Sequence, residues 1–118
     1  FSSMGPNLCE YMKPEISAPG VSIVGALSSF TTDERNGTSP VEFNSKTYEF
    51  VALSGTSMSS PMVTGVVALM LQANPNLTAE QVKEIITSTA RHDSFTGEDI
   101  PNYTWGWGKI DALQAVKV

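Results

Sequence analysis

The sequence predicts an α/β domain, and two kinds of segment support that fold class. Residues 21–27 are rich in β-branched side chains and residues 47–55 alternate in polarity, as strands do. Residues 57–73 and 78–90 instead have the length and the apolar spacing of helices. Because the chain has 118 residues and 41% of them are hydrophobic, it is long enough to form one hydrophobic core.

The composition excludes several classes of partner. The net charge is −5, and the seven basic residues are scattered along the chain. Nucleic acid and anionic membrane surfaces are therefore not expected as partners. The longest apolar run, residues 63–71, is far shorter than the roughly 20 residues that a membrane span needs. Cys9 is the only cysteine, which excludes an internal disulfide, and we expect it to be half-buried.

The first half of the chain is predicted to consist of loops and two strands. Residues 1–20 contain three prolines and should form an extended loop. The strand at 21–27 is followed by a polar stretch in which Asn36 and Gly37 are a strong turn signal. The second strand, 47–55, comes after that stretch. We therefore expect an antiparallel hairpin whose two strands are separated by a long, exposed loop.

A helix is predicted from about Ser57 to Ala73, directly after the second strand. Pro61 fits in its first turn, where a missing N–H group leaves no hydrogen bond unmade. Apolar side chains cover nearly every face, so we expect this helix to be buried on all sides. Gly65 would let another element pack closely against it.

The next helix is indicated by its own start. Thr78 and Gln81 form a T-x-x-Q capping box. The apolar residues that follow share one face, which predicts an amphipathic surface helix. They are Val82, Ile85, Ile86 and Ala90. A polar loop and the glycine-rich stretch WGWGK come next, and a short last helix has Asp111 near its start, where a carboxylate suits the helix dipole.

Five hydroxyl residues stand at the start of the most apolar segment, in the stretch LSGTSMSSPMVTGVVALML at 53–71. One interpretation is structural, because serine and threonine are preferred helix caps. The other is catalytic. Unpaired N–H groups and the positive dipole end at a helix start can stabilise the oxyanion that forms when a serine attacks a carbonyl. A phosphate-binding loop is excluded, since the lysine and the glycine spacing of a P-loop are absent.

The stretch GTSMSSPMVTGVVALM resembles the active-serine signature of the subtilisin-like serine proteases (subtilases, peptidase S8 family). The family pattern is Gly-Thr-Ser-Met-Ala/Ser-x-Pro-His-Val-x-Gly. FSSMGP and KPEISAPGVSI resemble the family's segment before its serine hairpin, and WGWGKIDALQAV resembles its closing turn and final helix. The resemblance implies that residues 1–118 are a single, incomplete domain, the C-terminal third or so of a subtilase catalytic domain.

The parent fold implied by the resemblance has three layers, with a mainly parallel sheet flanked by helices. The nucleophile would lie at the start of a central buried helix. In that fold the present chain would supply a short strand near its start, a β-hairpin with a long insertion, the buried central helix and two shorter helices.

The resemblance also assigns roles to the residues at the helix start. Ser57 matches the nucleophile of a serine endopeptidase, which would attack the peptide carbonyl and form an acyl-enzyme. Its own N–H would be one oxyanion donor, and Thr56 would support that hole. Met58 would lie beside the leaving-group side of the cleft, and Ser54 and Gly55 would lie at its floor.

The next positions of the helix are interpreted as structural. Ser59 and Ser60 are expected to serve only as capping residues of the first turn. Met62 stands where the family usually has a histidine that packs under this turn. Because methionine can fill the same space, we expect a structural adjustment there and no loss of chemistry.

The base that would activate Ser57 is absent from these 118 residues. In the family the triad runs in the order Asp, His, Ser, and the Asp and His signatures and the oxyanion asparagine lie upstream. His92 follows Ser57 in a polar loop and is expected to be an exposed surface residue. The acidic loop residues are likewise expected to be solvated: Asp33, Glu34, Asp93, Glu98 and Asp99. The 118 residues alone are therefore expected to be inactive. They should also expose apolar surface and dimerise, exchange elements or aggregate.

Partners and location follow from the same resemblance. Protein or peptide substrates are expected, and no cofactor is. Calcium commonly steadies subtilases, and Glu15 lies in a segment that can contribute a ligand in the full-length parent. The sequence has no oxygen-ligand constellation, so we assign no metal. The family's habits imply an extracytoplasmic or secreted protein. The alternative is a non-catalytic subtilase-like remnant or interaction module, which the upstream residues would distinguish.

Overall fold

The computed structural model describes residues 1–31 and 38–118, and this part of the chain contains three strands followed by three helices. The strands are β1 (Ile23–Ala26), β2 (Thr38–Phe43) and β3 (Lys46–Leu53). The helices are α1 (Thr56–Ala73), α2 (Ala79–Ser88) and α3 (Ala112–Lys117). This content confirms the predicted α/β class. The turn predicted at residues 36 and 37 and the acidic residues 33 and 34 lie outside the described residues.

The two predicted strands pair with each other, as the sequence indicates. β1 runs antiparallel to β3, with Ile23 opposite Leu53 and Ala26 opposite Phe50. β3 ends at Leu53 and α1 begins at Thr56. The sheet therefore fixes the position of the chain immediately before the hydroxyl residues.

The insertion between these strands contains a third strand that the sequence analysis did not predict. β2 pairs antiparallel with β3, so the sheet order is β1-β3-β2. Asn44 and Ser45 close this hairpin with φ values of 49° and 59°, which suit a two-residue type I′ turn. Pro40 lies within β2 and is tolerated because β2 is an edge strand. The proline and the polar composition of the insertion obscured this strand in the sequence.

The short strand expected near the chain start is reduced to one residue. Ser17 forms an isolated parallel bridge with Lys109. The described strands do not form the mainly parallel sheet implied for the parent fold. A two-residue connection such as the one between β2 and β3 permits only antiparallel pairing, because parallel strands need a long crossover.

The expectation that α1 is buried on all sides is wrong for this chain. Met70 is its one buried residue, whereas Leu69 is 50% exposed. A Cβ added at Gly65 would meet no atom within 4 Å, so no described element packs closely there. The reason is that α1 packs chiefly against α3, and the described part of the chain supplies no element to cover the remaining faces.

The hydrophobic core is small and lies between the three helices. Each helix contributes one buried residue, namely Met70, Ile86 and Ala115. Half-buried side chains surround them, including Ile16 from the N-terminal loop and Ile110 from the segment before α3. Within the described part of the chain, no helix combines the length and the apolar content that crossing a membrane requires.

The two shorter helices begin where the sequence predicts. The Thr78 hydroxyl accepts a hydrogen bond from the Gln81 N–H at 3.2 Å, and the Gln81 side chain accepts one from the Thr78 N–H at 2.9 Å. The predicted capping box of α2 is therefore confirmed, as is the amphipathic character of α2, whose inner face buries Ile86. Asp111 is the N-cap of α3 and accepts a hydrogen bond from the Gln114 N–H at 3.0 Å.

The glycine-rich stretch before α3 joins the C-terminal loop to the N-terminal loop. The Trp107 N–H donates to the Glu15 carbonyl at 2.9 Å. Gly106, with a φ of 62°, comes so close that an added Cβ would lie 2.4 Å from the Pro14 carbonyl oxygen. Only glycine fits this contact, since any side chain would overlap the neighbouring backbone.

Cys9 is exposed, and the expectation of a half-buried thiol is wrong. The residue lies in a surface turn that the Asn7 side chain organises. The Asn7 amide oxygen accepts hydrogen bonds from the N–H groups of Cys9 and Tyr11 at 3.1 and 2.8 Å. The turn is therefore held by polar contacts on the surface, and they do not require the thiol to be buried.

Candidate active site

α1 begins without the side-chain cap that the hydroxyl residues were expected to supply. Gly55 is the N-cap residue, with a φ of 154° that favours glycine, and no side chain caps the first turn. The Gly55 carbonyl accepts hydrogen bonds from the N–H groups of Met58 and Ser59 at 3.0 and 3.3 Å. The expected capping role of Ser59 and Ser60 is therefore wrong. A capping oxygen must stand ahead of the helix, and both residues lie inside it.

Ser57 is the second residue of α1, and its side chain is exposed. Neither its hydroxyl nor its N–H has a hydrogen-bond partner among the residues that the structure describes, and the same holds for the Thr56 N–H. The N–H groups at a helix start also carry the positive end of the helix dipole. The start of α1 thus presents an exposed hydroxyl beside two N–H groups that are free to bind an oxyanion.

Ser54 and Gly55 connect β3 to α1, and both are held by an earlier part of the chain. The Ser54 hydroxyl oxygen accepts a hydrogen bond from the Ser22 N–H at 2.8 Å. The Gly55 N–H donates to the Gly20 carbonyl, also at 2.8 Å. Sequence reasoning missed these two partners, because such contacts join residues far apart in the chain. The Pro-Gly pair that ends at Gly20 was the only local sign of an unusual backbone there.

Thr56 borders a cavity of about 710 Å³ on one side of α1. The cavity walls are mainly apolar and include Ile16, Val63 and Val67. Ser57 is not part of this lining. The apolar cavity is therefore lined by Thr56 but not by Ser57.

Two methionines follow Ser57 on α1, and they differ in burial. Met58 is half-buried, and its sulfur lies 3.8 Å from the position of a Cβ added at Gly55. Met62 is 43% exposed, so it does not fill the space under the first turn as expected.

His92 is exposed, as the sequence predicts. Its Nε2 donates a hydrogen bond to the Trp107 carbonyl oxygen at 2.9 Å, which orients the ring against the glycine-rich stretch. No hydrogen bond or ion pair joins His92 to Ser57 or to a carboxylate in the part of the chain that the structure describes. His92 thus has a structural contact and no geometry of a catalytic base.

Asp93 is not simply solvated, as was expected for the loop carboxylates. Its carboxylate pairs with the Lys109 ammonium at 2.6 Å and accepts hydrogen bonds from the N–H groups of Phe95 and Thr96. The hydrogen bond from Lys109 is the main cause that lowers the pKa of Asp93. The same ammonium lies 5.1 Å from the ring centroids of Phe95 and Trp105. This cluster stabilises the C-terminal loop, away from Ser57 in the sequence.

Glu15, which lies in the segment considered for a calcium ligand, is held by two lysines in this chain. Its carboxylate pairs with Lys13 and, at 3.2 Å, with Lys83. Burial raises the pKa of Glu15, but the hydrogen bonds from the two lysines outweigh that effect and the net pKa is lowered. Both ammonium groups contact the same carboxylate oxygen, Oε1. Among the described residues, no three His, Cys, Asp or Glu side chains come together as a possible metal site.

The chain matches the model of the subtilase family over residues 1–108. It is 39% identical over 102 residues to the subtilisin-like protease SBT3.13 of Arabidopsis thaliana, an alignment that covers 85% of this chain and 12% of that protein. It is 39% identical over 120 residues to the minor extracellular protease Vpr of Bacillus subtilis (strain 168), covering 99% of this chain and 13% of that protein. The chain therefore spans only about an eighth of the length of these two relatives.

A solved structure shares the fold. The CspB protease of Clostridium perfringens superimposes with a TM-score of 0.67 and 26% identity, covering 96% of this chain and 22% of that one. The match therefore extends over nearly the whole of the present chain but less than a quarter of the other one.

Proposed function

Since the chain belongs to the subtilase family, we propose that residues 1–118 are the C-terminal segment of the catalytic domain of a serine endopeptidase, with Ser57 as its nucleophile. The observation that carries this proposal is the start of α1. An exposed serine hydroxyl without a partner in the described chain stands there beside two N–H groups that no cap occupies. The first turn of α2, in contrast, has its N–H groups occupied by a capping box, so it offers no comparable donors.

The chemistry follows from that arrangement. The Ser57 oxygen attacks the peptide carbonyl while a base takes its proton, and the carbonyl oxygen becomes an oxyanion. The Ser57 N–H donates to the oxyanion, and Thr56 supports the hole. The C–N bond then breaks, the base returns the proton to the leaving amine, and an acyl-enzyme remains. Water hydrolyses this ester and restores the Ser57 hydroxyl.

The remaining residues of this turn shape the cleft. Met58 lies beside the leaving-group side, and Ser54 and Gly55 form the floor. Ser54 and Gly55 already make hydrogen bonds to the backbone of residues 20–22, which supports a structural role below the substrate. Proteins or peptides are the substrates, and nucleic acids and membranes are not partners. Export from the cytoplasm is supported by the extracellular relative Vpr.

The base, its aspartate and the asparagine that completes the oxyanion hole belong to a part of the protein outside residues 1–118. His92, the only histidine in these residues, is committed to the Trp107 carbonyl. The 118 residues alone are therefore inactive, because a serine without its base retains only residual catalysis.

One labelling experiment tests both statements. The full-length protein, its Ser57→Ala variant and the isolated 118 residues are treated with a fluorophosphonate probe, and peptide hydrolysis is measured in parallel. We expect rapid labelling of the full-length protein, none of the variant, and labelling of the isolated chain that is slower by about a factor of 1,000 or more. Activity that survives Ser57→Ala would exclude Ser57 as the nucleophile. A full-length protein that neither reacts nor hydrolyses peptides would favour a non-catalytic, subtilase-like module.

A further inference from the structure

The residues around Ser57 are held by one short segment, residues 20–22. The Gly20 carbonyl accepts a hydrogen bond from the Gly55 N–H, and the Ser22 N–H donates one to the Ser54 hydroxyl oxygen, each at 2.8 Å. Both bonds act on the two residues that link β3 to α1. They fix the backbone two and three positions before Ser57.

Residue 20 also contacts the first turn from outside. A Cβ added at Gly20 would lie 2.1 Å from the Ser59 Oγ and 2.8 Å from the Gly55 carbonyl oxygen. Distances this short exist only because residue 20 has no side chain. The segment therefore touches the chain both before Ser57, at Gly55, and after it, at Ser59.

The backbone of this segment is unusual at the point where it meets Ser54. Ser22 has a φ of 52°, in the left-handed region that is unfavourable for residues other than glycine. Such a conformation persists only where surrounding contacts hold it. The hydrogen bond from the Ser22 N–H to the Ser54 hydroxyl oxygen is such a contact, and among the described residues this N–H has no other hydrogen-bond acceptor.

These contacts replace a helix cap. A capping side chain at position 55 would accept hydrogen bonds from the N–H groups of the first turn and occupy the donors needed for an oxyanion. α1 has no such side chain, so its start must be fixed by contacts that leave these donors free. Residues 20–22 provide such contacts, because they bind Ser54 and Gly55 and not the N–H groups of Thr56 and Ser57.

We infer that Ser54 is a positioning residue for Ser57: through its hydrogen bond to the backbone of residue 22, it fixes the direction in which α1 presents the nucleophile. This inference rests on the proposed function, since it needs Ser57 to react. Ser54 itself does not touch the reacting atoms. Its hydroxyl is directed to the Ser22 N–H and acts through the backbone that leads into α1.

The test uses three variants of the full-length protein, with kcat and KM measured on a peptide substrate. Ser54→Ala removes the acceptor, and we expect kcat to fall about tenfold with KM changed less than about twofold, since a displacement well under 1 Å disturbs attack more than binding. Ser54→Thr keeps a hydroxyl oxygen and should restore kcat to within about twofold of the wild type. Ser60→Ala is the matched control. This change also removes one serine hydroxyl, but at a position near the start of α1 where the hydroxyl makes no hydrogen bond to a described residue. It should leave kcat unchanged.

Amide hydrogen exchange provides a readout independent of activity. Peptides covering residues 18–24 and 53–60 should exchange faster in Ser54→Ala than in the wild type, and at the wild-type rate in Ser54→Thr. The combined pattern of slower turnover and faster exchange, both reversed by threonine, supports the positioning role.

Several results would overturn it. The first is a wild-type kcat in Ser54→Ala, whatever the thermal stability of that variant. The second is a kcat in Ser54→Thr as low as in Ser54→Ala, and the third is an equal loss of kcat in Ser60→Ala. The fourth is a loss of kcat in Ser54→Ala without any change in amide hydrogen exchange. Failure of the proposed function looks different, because the wild type would then be inactive or Ser57→Ala would remain active. If Ser57→Ala is inactive while Ser54→Ala is fully active, only the positioning role of Ser54 is lost.

Discussion

Gly106 and Gly97 both have positive φ values, 62° and 81°, but their surroundings differ. An added Cβ at Gly106 would lie 2.4 Å from the Pro14 carbonyl oxygen and 2.5 Å from that of Glu15, whereas one at Gly97 would meet nothing within 4 Å. Replacing either glycine therefore loses stability through the positive φ. Only at Gly106 does the close approach to the N-terminal loop cause a further loss.

This pair predicts how much the close approach contributes to stability. In the full-length protein, Gly97→Ala should lower the free energy of unfolding by about 1 kcal/mol, the usual cost of a left-handed alanine. Gly106→Ala should cost about 3 kcal/mol or more, because the backbone of residues 14 and 15 must also move. Urea unfolding of both variants measures the difference. Equal losses would mean that the contact with Pro14 and Glu15 relaxes without cost.

At the scale of elements, α1 and α2 differ in how their first turns are capped, and the difference matches what precedes each helix. α2 has 10 residues and a complete capping box, with Thr78 and Gln81 each satisfying the other's N–H. α1 has 18 residues and no side-chain cap. A long helix that is anchored by the sheet before it can tolerate an uncapped start, whose loss costs only about 1 kcal/mol. The short surface helix has no such anchor.

The β2–β3 hairpin is the element that the sequence analysis missed, and its turn is not optimal. Asn44 and Ser45 both adopt left-handed φ values, which asparagine tolerates and serine disfavours. Ser45→Gly should therefore stabilise the full-length protein by about 0.5–1 kcal/mol, since Asn-Gly is the preferred type I′ pair. Thermal and urea unfolding would measure the gain. Ser45→Ala is the control and should give no gain, so an equal gain from alanine would contradict the turn assignment.

At the scale of the whole molecule, the chain exposes more surface than its mass predicts for a self-contained domain. Its accessible surface is 8636 Å² for 12.7 kDa, whereas a folded monomer of this mass would expose about 6,200 Å². The radius of gyration is 17.3 Å, against about 13.5 Å for a compact chain of this length. The excess surface includes apolar side chains of α1 such as Leu69.

This excess predicts that the isolated 118 residues associate. Sedimentation should give masses above 12.7 kDa that increase with concentration, because exposed apolar helix faces bury each other. Leu69→Glu places a charge on the exposed face of α1 and should reduce the association. Gln72→Glu adds the same charge at an exposed polar position of the same helix and should have little effect. A compact, concentration-independent monomer would contradict this prediction.

The sequence by itself determined the local features of this protein. The positions of β1, β3 and the helices, the capping box of Thr78 and Gln81 and the family signature around Ser57 could all be read from neighbouring residues. Each depends on interactions within a few positions of the chain, such as hydrogen bonds between a side chain and the next turn, or the period of apolar residues.

Only the tertiary structure decided the features that join distant residues. It showed that α1 is largely exposed in this chain, that Ser59 and Ser60 do not cap it, and that residues 20–22 hold Ser54 and Gly55. An apolar pattern states that a face requires a partner but not whether the chain supplies one. A serine likewise has the same local preference whether it caps a helix, accepts a hydrogen bond from a remote strand or remains free. Which of these occurs depends on how segments far apart in the sequence pack together.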